Sequence, residues 1–315
     1  MTWAETHRKR PEIAQAMLDH DVLPYIGDVP VAALRRSHFA ELFARIVRRG
    51  KRVQANRVQA LLRQAFAVAA DQDETIEAIP VMPREAAGGE EKARETTLDD
   101  AELVKLWRGL DALSPTDKRP KIGRPLALAL KLLLVTAQRR GELASAKWSD
   151  ITETAAEVPD HKAKRAGAVK TVAFKVWSIP TNKTEAPHAI ALSPLASKLL
   201  DELRGLVPKD SEELFPSKRT KEANAERDRS FTRAARTARK ELGMKHWTPH
   251  DLRRTARTGM ASIKVPDAIA ERVLNHATGS RMEAVYNKHN YLLEMKSALD
   301  AWAARIEQLI AGPTK

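Results

Sequence analysis

Residues 126–135 (LALALKLLLV) would be apolar on nearly every side of a helix, with only Lys131 interrupting the run. A helix without a polar face has to be covered by other elements, so we predict that it begins near Pro125 and lies in a domain core. The run is too short to cross a membrane. The first fifteen residues contain no apolar signal region, and we therefore expect no membrane partner.

The segments around this run repeat apolar residues at spacings of three and four, which is typical of helices with one buried face. Thr97 followed by Asp100 predicts the start of a helix that buries its leucines. Further helices are predicted at 194–206, 225–241, 248–262, 266–275 and 291–311. The last carries a continuous apolar stripe that must be covered, formed by Leu292, Met295, Leu299, Trp302, Ile306 and Leu309.

The periodicity changes between about Lys147 and Ser193. VAFKVWSIP and HAIALS have the composition of strands, and the connecting TNKTEAP is typical of a turn. We therefore predict a mainly α fold with a small antiparallel β-sheet inserted between its helices.

The N-terminal 80 residues are predicted to be entirely helical, with Ser37 capping one helix that ends at Gly50. The segment that follows is rich in proline, glycine and charge and lacks periodicity, which is typical of a linker. These patterns predict a helical domain at 1–80, a linker at 81–95 and a second domain at 96–315.

The chain contains 54 lysines and arginines against 41 acidic residues, and its net charge of +13 favours a polyanionic partner such as nucleic acid. The absence of cysteine excludes disulfides, thiolate metal sites and cysteine nucleophiles. Two interpretations of the basic helices near the N-terminus stay open at this point, a solvated face or a surface that contacts DNA phosphates. Seven basic residues and no acid lie there: Arg45, Arg48, Arg49, Lys51, Arg52, Arg57 and Arg63.

The segment WTPHDLRRT predicts a helix start, with Thr248 as N-cap, Pro249 at the first helical position and Asp251 two positions later. His250 and Arg253 then lie three residues apart on one face of the first turn. An imidazole and a guanidinium beside the free N–H groups of a helix start are suited to bind an anion. Phosphate is the obvious candidate.

Three further signals are weak when each is taken alone. Arg139 and Glu142 in TAQRRGELASAKW are typical of a surface ion pair, and a single histidine such as His250 is more often structural than catalytic. His276 in LNHATGS follows an apolar helix, and Tyr286 comes ten residues later in a chain with only three tyrosines.

The order of these motifs is more specific than any one of them. It resembles the tyrosine recombinase (phage integrase) family, and within it the prophage and genomic-island integrases. The resemblance rests on QRRGEL followed by KWSDI, a lysine ahead of PHAIALS, HDLRRT, LNH and AVYN. It covers the second domain, while VLPYIGDVPVAAL and the later ANR in the first domain are similar to the family's core-binding domain.

The resemblance implies site-specific strand exchange on double-stranded DNA attachment sites, for integration or excision of a prophage or genomic island. Tyr286 would be the nucleophile that forms a covalent 3′-phosphotyrosyl intermediate, which divides the exchange into two transesterifications. Lys183, in the predicted hairpin turn, matches the family's lysine that protonates the leaving 5′-oxygen. This chemistry requires no metal and no cofactor.

The remaining members of the implied site follow from the same motifs. Arg139 and Arg253 match the family's two arginines, whose planar guanidinium groups can bind the non-bridging phosphate oxygens. Their neighbours Arg140 and Arg254 fit less well, because the family pattern has an acid three residues after the first arginine and His-x-x-Arg at the second. His250 and His276 would donate or accept protons near the phosphate and the phenol. Glu142 would orient His250 or an arginine.

The family also implies a monomer in solution that becomes a homotetramer on DNA, with a host DNA-bending protein and an excisionase as accessory partners. The apolar stripe of 291–311 has two expected partners, which stay open at this point: its own domain, or a neighbouring protomer as in the family. The family also implies a cytoplasmic, nucleoid-associated location. Integrases of this subgroup usually carry a further N-terminal domain that binds arm-type sites, and nothing in residues 1–30 resembles it. Two other functions remain open: a type IB topoisomerase-like strand transferase, and a non-catalytic regulator that uses HDLRRTART as a recognition helix.

Overall fold

The computed structural model describes residues 2–8, 11–74, 76, 85–91, 95–159, 169–180, 188–216, 223–276 and 291–312. The chain divides into two compact units, Met1–Arg94 and Glu95–Lys315. The assignment of the predicted ranges as a core-binding and a catalytic domain stays a prediction. None of the helices in the described ranges is long and apolar enough to cross a membrane.

The N-terminal unit is built around two helices that share an apolar interface. Its helices are α1 (Thr2–His7), α2 (Pro11–Met17), α3 (Leu23–Ile26), α4 (Arg36–Arg48) and α5 (Arg52–Ala70). The buried cluster combines Phe39, Leu42, Phe43 and Ile46 of α4 with Ala55, Val58 and Leu62 of α5. The prediction that Ser37 caps α4 is wrong, because the helix begins one residue earlier and the backbone N–H of Arg35 donates to the His38 ring.

The C-terminal unit surrounds the apolar run, as predicted. Its first helices are α6 (Asp100–Leu113), α7 (Arg124–Thr136) and α8 (Arg140–Ser145), and every residue from Ala127 to Thr136 is buried. Even Lys131 is buried, because its ammonium group lies 2.6 Å from an Asp111 carboxylate oxygen and 4.5 Å from the centre of the Trp107 ring. The predicted cap of α6 at Thr97 is wrong, since Asp99 caps it by accepting from the Glu102 N–H at 2.8 Å.

One antiparallel sheet interrupts the helices, in the order β1 (Ile151–Pro159), β2 (Val169–Ile179) and β3 (His188–Ala191). Ile151 pairs with Trp177 and Val176 pairs with Ala191 across the two ladders. The two predicted strands are confirmed, whereas β1 was missed because most of its described side chains are exposed and polar or small. The predicted turn TNKTEAP lies outside the described residues.

The later helices are α9 (Pro194–Leu206), α10 (Ala223–Glu241), α11 (Pro249–Ser262), α12 (Asp267–Val273) and α13 (Leu292–Ala311). The predicted start of α11 is confirmed, because the Asp251 carboxylate accepts from both the N–H and the hydroxyl of Thr248 at 2.8 Å. This start places the HDLRRTART segment against α7 and α10 in the centre of the unit.

Of the two expected partners of the α13 stripe, the described helix packs on its own unit. Met295, Leu299, Trp302 and Ile306 belong to the core of the same unit, where α13 packs on α6, α7, α9, α11, α12 and β3. The Trp302 indole donates to the carbonyl oxygen of Leu134 at 3.0 Å. The stripe is therefore covered within its own chain, because α7 and α11 offer an apolar surface that matches it.

Candidate active site

Arg253 is a buried cation near the middle of the C-terminal unit. It extends from the first turns of α11, its residue is 3% exposed, and one guanidinium nitrogen donates to the Ala137 carbonyl oxygen at 2.8 Å. The other terminal nitrogen donates to the Leu274 carbonyl oxygen and lies 3.1 Å from His276 Nε2. Burial and the nearby Arg139 lower the pKa of Arg253 to about 10, so the group is charged at neutral pH. The carbonyls of Ala137 and Leu274 fix the direction of the Arg253 guanidinium.

Arg139 reaches the same turn of backbone from the start of α8. The Glu142 carboxylate accepts from the Arg139 backbone N–H at 2.8 Å and from its guanidinium at 2.9 Å. A second guanidinium nitrogen donates to the Asn275 carbonyl oxygen at 3.4 Å. Glu142 therefore orients Arg139, which is one of the two roles expected for it. The two arginines are held on the adjacent carbonyls of Leu274 and Asn275, and this arrangement places two cations beside His276.

Residues in the left-handed backbone conformation form the two turns that carry the carbonyls of Ala137, Leu274 and Asn275. Ala137 ends α7 with φ of 57°, and Asn275 follows α12 with φ of 49°. Asparagine tolerates this region, whereas for alanine it costs on the order of 1 kcal/mol. We infer that this strained conformation is retained because the turn at Ala137 positions the carbonyl that binds Arg253 and also determines the direction of Arg139.

His276 is held from two sides. Its Nδ1 lies 2.5 Å from a carboxylate oxygen of Glu271, and its Nε2 faces Arg253. The second oxygen of Glu271 accepts from Arg257 Nε at 2.7 Å. Arg257 lies one turn after Arg253 on α11, so α11 and the end of α12 are joined at this point.

His250 lies exposed on the first turn of α11. Partial burial of its ring, followed by the positive charges of Arg254 and Arg253, lowers its pKa below the ordinary histidine value. A ring with a lowered pKa is neutral at pH 7, so it can accept one proton and donate another.

A second buried histidine, His188 at the start of β3, belongs to the same region and was not predicted. Burial is the largest cause of its lowered pKa, and the charges of Glu142, Arg253 and Arg139 also act on it. Within the described part of the chain its buried Nε2 has no hydrogen-bond partner. His188 lines a cleft of 620 Å³ together with Arg272 and His276.

The neighbours of the two selected arginines are engaged elsewhere. Arg140 pairs with Asp228 at 2.7 Å and donates to the Thr232 hydroxyl at 2.9 Å, so it links α8 to α10. Arg254 pairs with the Asp251 carboxylate at 2.9 Å. This geometry supports the predicted register, in which Arg139 and Arg253 rather than their neighbours face the site.

Tyr286 and Lys183 lie outside the described residues, and their placement in the site stays a prediction. Tyr291, the other tyrosine of this region, fits the family spacing less well because it lies fifteen residues after His276. It immediately precedes α13, and the guanidinium of Arg272 lies 3.9 Å from the centre of its ring. Its ring is thus used in packing.

Two residues of this cluster, His188 and Glu271, were missed by sequence reasoning. His188 stands in the PHAIALS segment, which was interpreted as a strand and as a marker of the family's lysine, but not as the source of a site residue. Glu271 precedes His276 by five residues, a spacing that brings them together only because α12 ends and the chain turns at Asn275. Among the described residues, no group of three or more histidine, aspartate or glutamate side chains is arranged to hold a metal ion.

The basic residues predicted to contact DNA differ in their surroundings. Arg45 pairs with Glu41 at 2.8 Å, Arg52 donates to the Gly88 carbonyl oxygen at 2.7 Å, and Arg49 is tied to the buried Asp21. Arg63 is half-buried. The remaining three are exposed, with no hydrogen bond or ion pair from their side chains to the described residues: Arg48, Lys51 and Arg57.

Comparison with known proteins gives two family matches along the chain. The sequence model of the phage integrase family matches residues 110–292, and that of the phage integrase central domain matches residues 1–81. The integrase of Enterobacteria phage P4 is 27% identical over 317 residues, covering 96% of this chain and 65% of that protein. Prophage integrase IntA of Escherichia coli K12 is 22% identical, covering 94% of this chain and 64% of that protein. The chain thus spans just under two thirds of the length of these relatives.

The fold is similar to solved integrase structures. A lambda integrase tetramer bound to a Holliday junction superposes with a TM-score of 0.63 at 20% identity, covering 87% of this chain and 73% of that chain. XerH recombinase in a post-cleavage complex with a palindromic difH substrate gives a TM-score of 0.57 at 16% identity, covering 94% and 80%. At these identities the likeness shows a common fold.

Proposed function

Because the chain belongs to the phage integrase family, we propose that it is a site-specific DNA recombinase acting through a covalent 3′-phosphotyrosyl intermediate. The observation that carries this proposal is the pair of guanidinium groups of Arg139 and Arg253. Arg253 donates to the Leu274 carbonyl and Arg139 donates to the adjacent Asn275 carbonyl, next to His276. Fixed cations of this kind stabilise the charge that develops on a phosphate during displacement at phosphorus.

The proposed reaction begins when the Tyr286 phenol oxygen bonds to phosphorus and the bond from phosphorus to the 5′-oxygen breaks. Lys183 gives a proton to the leaving 5′-oxygen, and His250 and His276 move protons near the phosphate and the phenol. Religation is the reverse displacement by a 5′-hydroxyl of the exchanged strand. The energy of the phosphodiester is conserved in the link to tyrosine, so the reaction consumes no nucleotide.

The two alternative functions are less well supported. A non-catalytic regulator would need HDLRRTART free to enter a DNA groove, yet Leu252, Arg253 and Ala256 on this helix are fully or almost fully buried. A type IB topoisomerase-like enzyme would use the same site residues. Recombination is favoured over it by the match of the phage integrase central domain to residues 1–81.

The nucleophile is tested by trapping the covalent adduct. A plasmid library of the genomic DNA that flanks this gene, nicked to make suicide substrates, is incubated with the full chain and resolved on a denaturing gel. The wild-type chain should retain labelled DNA, and Tyr286→Phe should bind the same DNA without forming an adduct.

Tyr291→Phe is the matched control, since it removes the other phenol of the same region and should still form the adduct. Adduct formation by the Tyr286→Phe chain would overturn the assignment. If the wild-type chain binds the selected DNA but never forms an adduct, the regulator becomes the better proposal.

Three exposed basic residues of α4, α5 and the turn between them are proposed to contact DNA phosphates: Arg48, Lys51 and Arg57. DNA affinity should therefore fall steeply with salt, by a slope of about −0.9 for each phosphate neutralised. A fragment of residues 96–315 should bind DNA poorly at moderate salt. Equal affinity of the fragment and the full chain would contradict this role for the N-terminal unit.

The assembly proposed for the active protein is a monomer in solution and a homotetramer on paired attachment sites. A lambda integrase tetramer on a Holliday junction, with a similar fold, supports this proposal. A DNA-bending host protein and an excisionase are proposed as accessory partners. Because its proposed substrate is DNA, the protein is also proposed to act at the nucleoid in the cytoplasm. Mass photometry with and without paired sites measures the change in subunit number.

A further inference from the structure

We propose that Glu271 is a positioning residue for His276, holding its imidazole with Nδ1 protonated and Nε2 directed to the phosphate site beside Arg253. This inference rests on the proposed function for its consequence in catalysis. It concerns a carboxylate that stands five residues before His276 and that takes no part in the reaction described above.

The hydrogen bonds around the ring determine which nitrogen carries the proton. Nδ1 lies 2.5 Å from Glu271 Oε2, and an ionised carboxylate can only accept, so Nδ1 must be the donor. Nε2 lies 3.1 Å from a guanidinium nitrogen of Arg253, which can only donate, so Nε2 presents its lone pair on that side. A neutral His276 is thus restricted to one tautomer by partners on opposite sides of its ring.

Glu271 is itself fixed from the side away from the histidine. Arg257 Nε donates to Glu271 Oε1 at 2.7 Å, and another nitrogen of the same guanidinium pairs with Asp267 at 2.9 Å. Although burial raises the pKa of Glu271, the hydrogen bonds from Arg257 and His276 outweigh it and lower that pKa. The carboxylate is therefore charged at neutral pH, and its direction is set by α11, the helix that carries Arg253.

The chemical consequence lies at Nε2. Because the carboxylate accepts from Nδ1–H, the one lone pair of the neutral ring is at Nε2, on the side of Arg253. The same contact prevents the ring from turning, and Nε2 stays next to Arg253 where the phosphate is expected. Loss of the carboxylate that orients a metal-binding histidine costs about 10- to 100-fold in affinity or activity, and we expect an effect of the same order for this orienting contact.

Two variants of the full chain separate positioning from simple packing. Glu271→Gln keeps the size of the side chain, but its amide can donate to Nδ1 and so favours the other tautomer. Asp267→Asn is the matched control, because it removes a charge from the outer side of Arg257 without touching His276. Single-turnover cleavage of the suicide substrate and DNA affinity are measured for both, in the wild-type and the His276→Ala background.

We expect Glu271→Gln to slow cleavage about 10- to 100-fold with DNA affinity unchanged, and to have little further effect once His276 is alanine. Asp267→Asn should cleave at the wild-type rate. Equal slowing by Glu271→Gln in both backgrounds would overturn the proposal, because it would show that the carboxylate acts on the fold and not through the histidine.

A readout that does not need activity is the nitrogen NMR spectrum of histidine-labelled chain, with the His276 signals assigned by their loss in His276→Ala. The wild-type ring should be protonated at Nδ1, and Glu271→Gln should shift the population toward the Nε2-protonated tautomer. An unchanged tautomer overturns the proposal even if the wild-type chain forms no adduct, which by itself would refute only the proposed function.

Discussion

Replacing Trp302 by alanine should strongly destabilise the C-terminal unit, because the indole joins α13 to the centre of the core. Trp302 is 2% exposed, and its Nε1 donates to the Leu134 carbonyl oxygen at 3.0 Å. The fit is tight on the opposite side as well, since a Cβ built on Gly259 would lie 2.2 Å from Trp302 Cζ3. The ring therefore fills the space between Leu134 of α7 and Gly259 of α11.

The size of the stability loss follows from the buried area of the indole and from its hydrogen bond. An aromatic side chain of this size buries on the order of 150–250 Å², worth roughly 4–6 kcal/mol at about 25 cal/mol per Å². Measured truncations of buried aromatic residues to alanine cost about 3–5 kcal/mol, and an unpaired buried carbonyl adds about 1–3 kcal/mol. We therefore expect a loss of about 5 kcal/mol in the free energy of unfolding, or roughly 10–20 °C in the melting temperature of a unit of this size.

Urea unfolding followed by far-UV circular dichroism, with thermal melting alongside, measures this loss. Trp302→Phe should cost about 1–3 kcal/mol, because it keeps most of the ring but leaves the Leu134 carbonyl without its donor. Leu293→Ala on the same helix removes a side chain that is 37% exposed and should cost less than about 1 kcal/mol. A stable Trp302→Ala chain that binds single sites but fails to pair them would refute the reasoning and restore α13 as a contact between protomers.

Arg253→Ala should slow cleavage about a hundredfold, or on the order of 3 kcal/mol, in single-turnover assays. Arg254→Ala should have only the smaller effect of an ordinary lost contact. A larger loss for Arg254→Ala than for Arg253→Ala would show that the wrong arginine of the pair was assigned to the site. Arg49→Ala should destabilise the N-terminal unit by about 2–3 kcal/mol in urea unfolding, because it leaves the buried Asp21 without its cation. By contrast, Arg48→Ala should change stability by less than about 0.5 kcal/mol and reduce the slope of log affinity against log salt by about 1. Burial raises the pKa of Asp21, but hydrogen bonds, chiefly from Arg49, lower it overall, so its stabilisation is present above the unfolded aspartate pKa and is lost as pH falls through the lower folded value. An Asp21→Asn chain should lack that acid-dependent loss, and equal acid sensitivity of both chains in pH-jump fluorescence would contradict it.

Local patterns in the sequence were sufficient to predict most of the elements. The apolar run at 126–135 could only be a central helix, and α11 was predicted from its own cap because the Thr248–Asp251 interaction is local. The two strands with alternating apolar residues were predicted, and β1 was not, because an edge strand with exposed side chains has no apolar pattern. The caps of α4 and α6 were each misplaced by two residues, since several polar residues compete at each start.

Residue types and the order of the motifs are properties of the chain itself, and they were enough to predict which residues can bind a phosphate. The partners of adjacent arginines depend on the fold: Arg140 and Arg254 pair with acids on α10 and α11, while Arg139 and Arg253 donate to the carbonyls of Asn275 and Leu274. It also decided that the stripe of α13 is covered within its own unit, because an apolar periodicity states that a face is buried but not what buries it. The partnership of Glu271 with His276 arises in the same way, from a turn at Asn275 that no helical spacing describes.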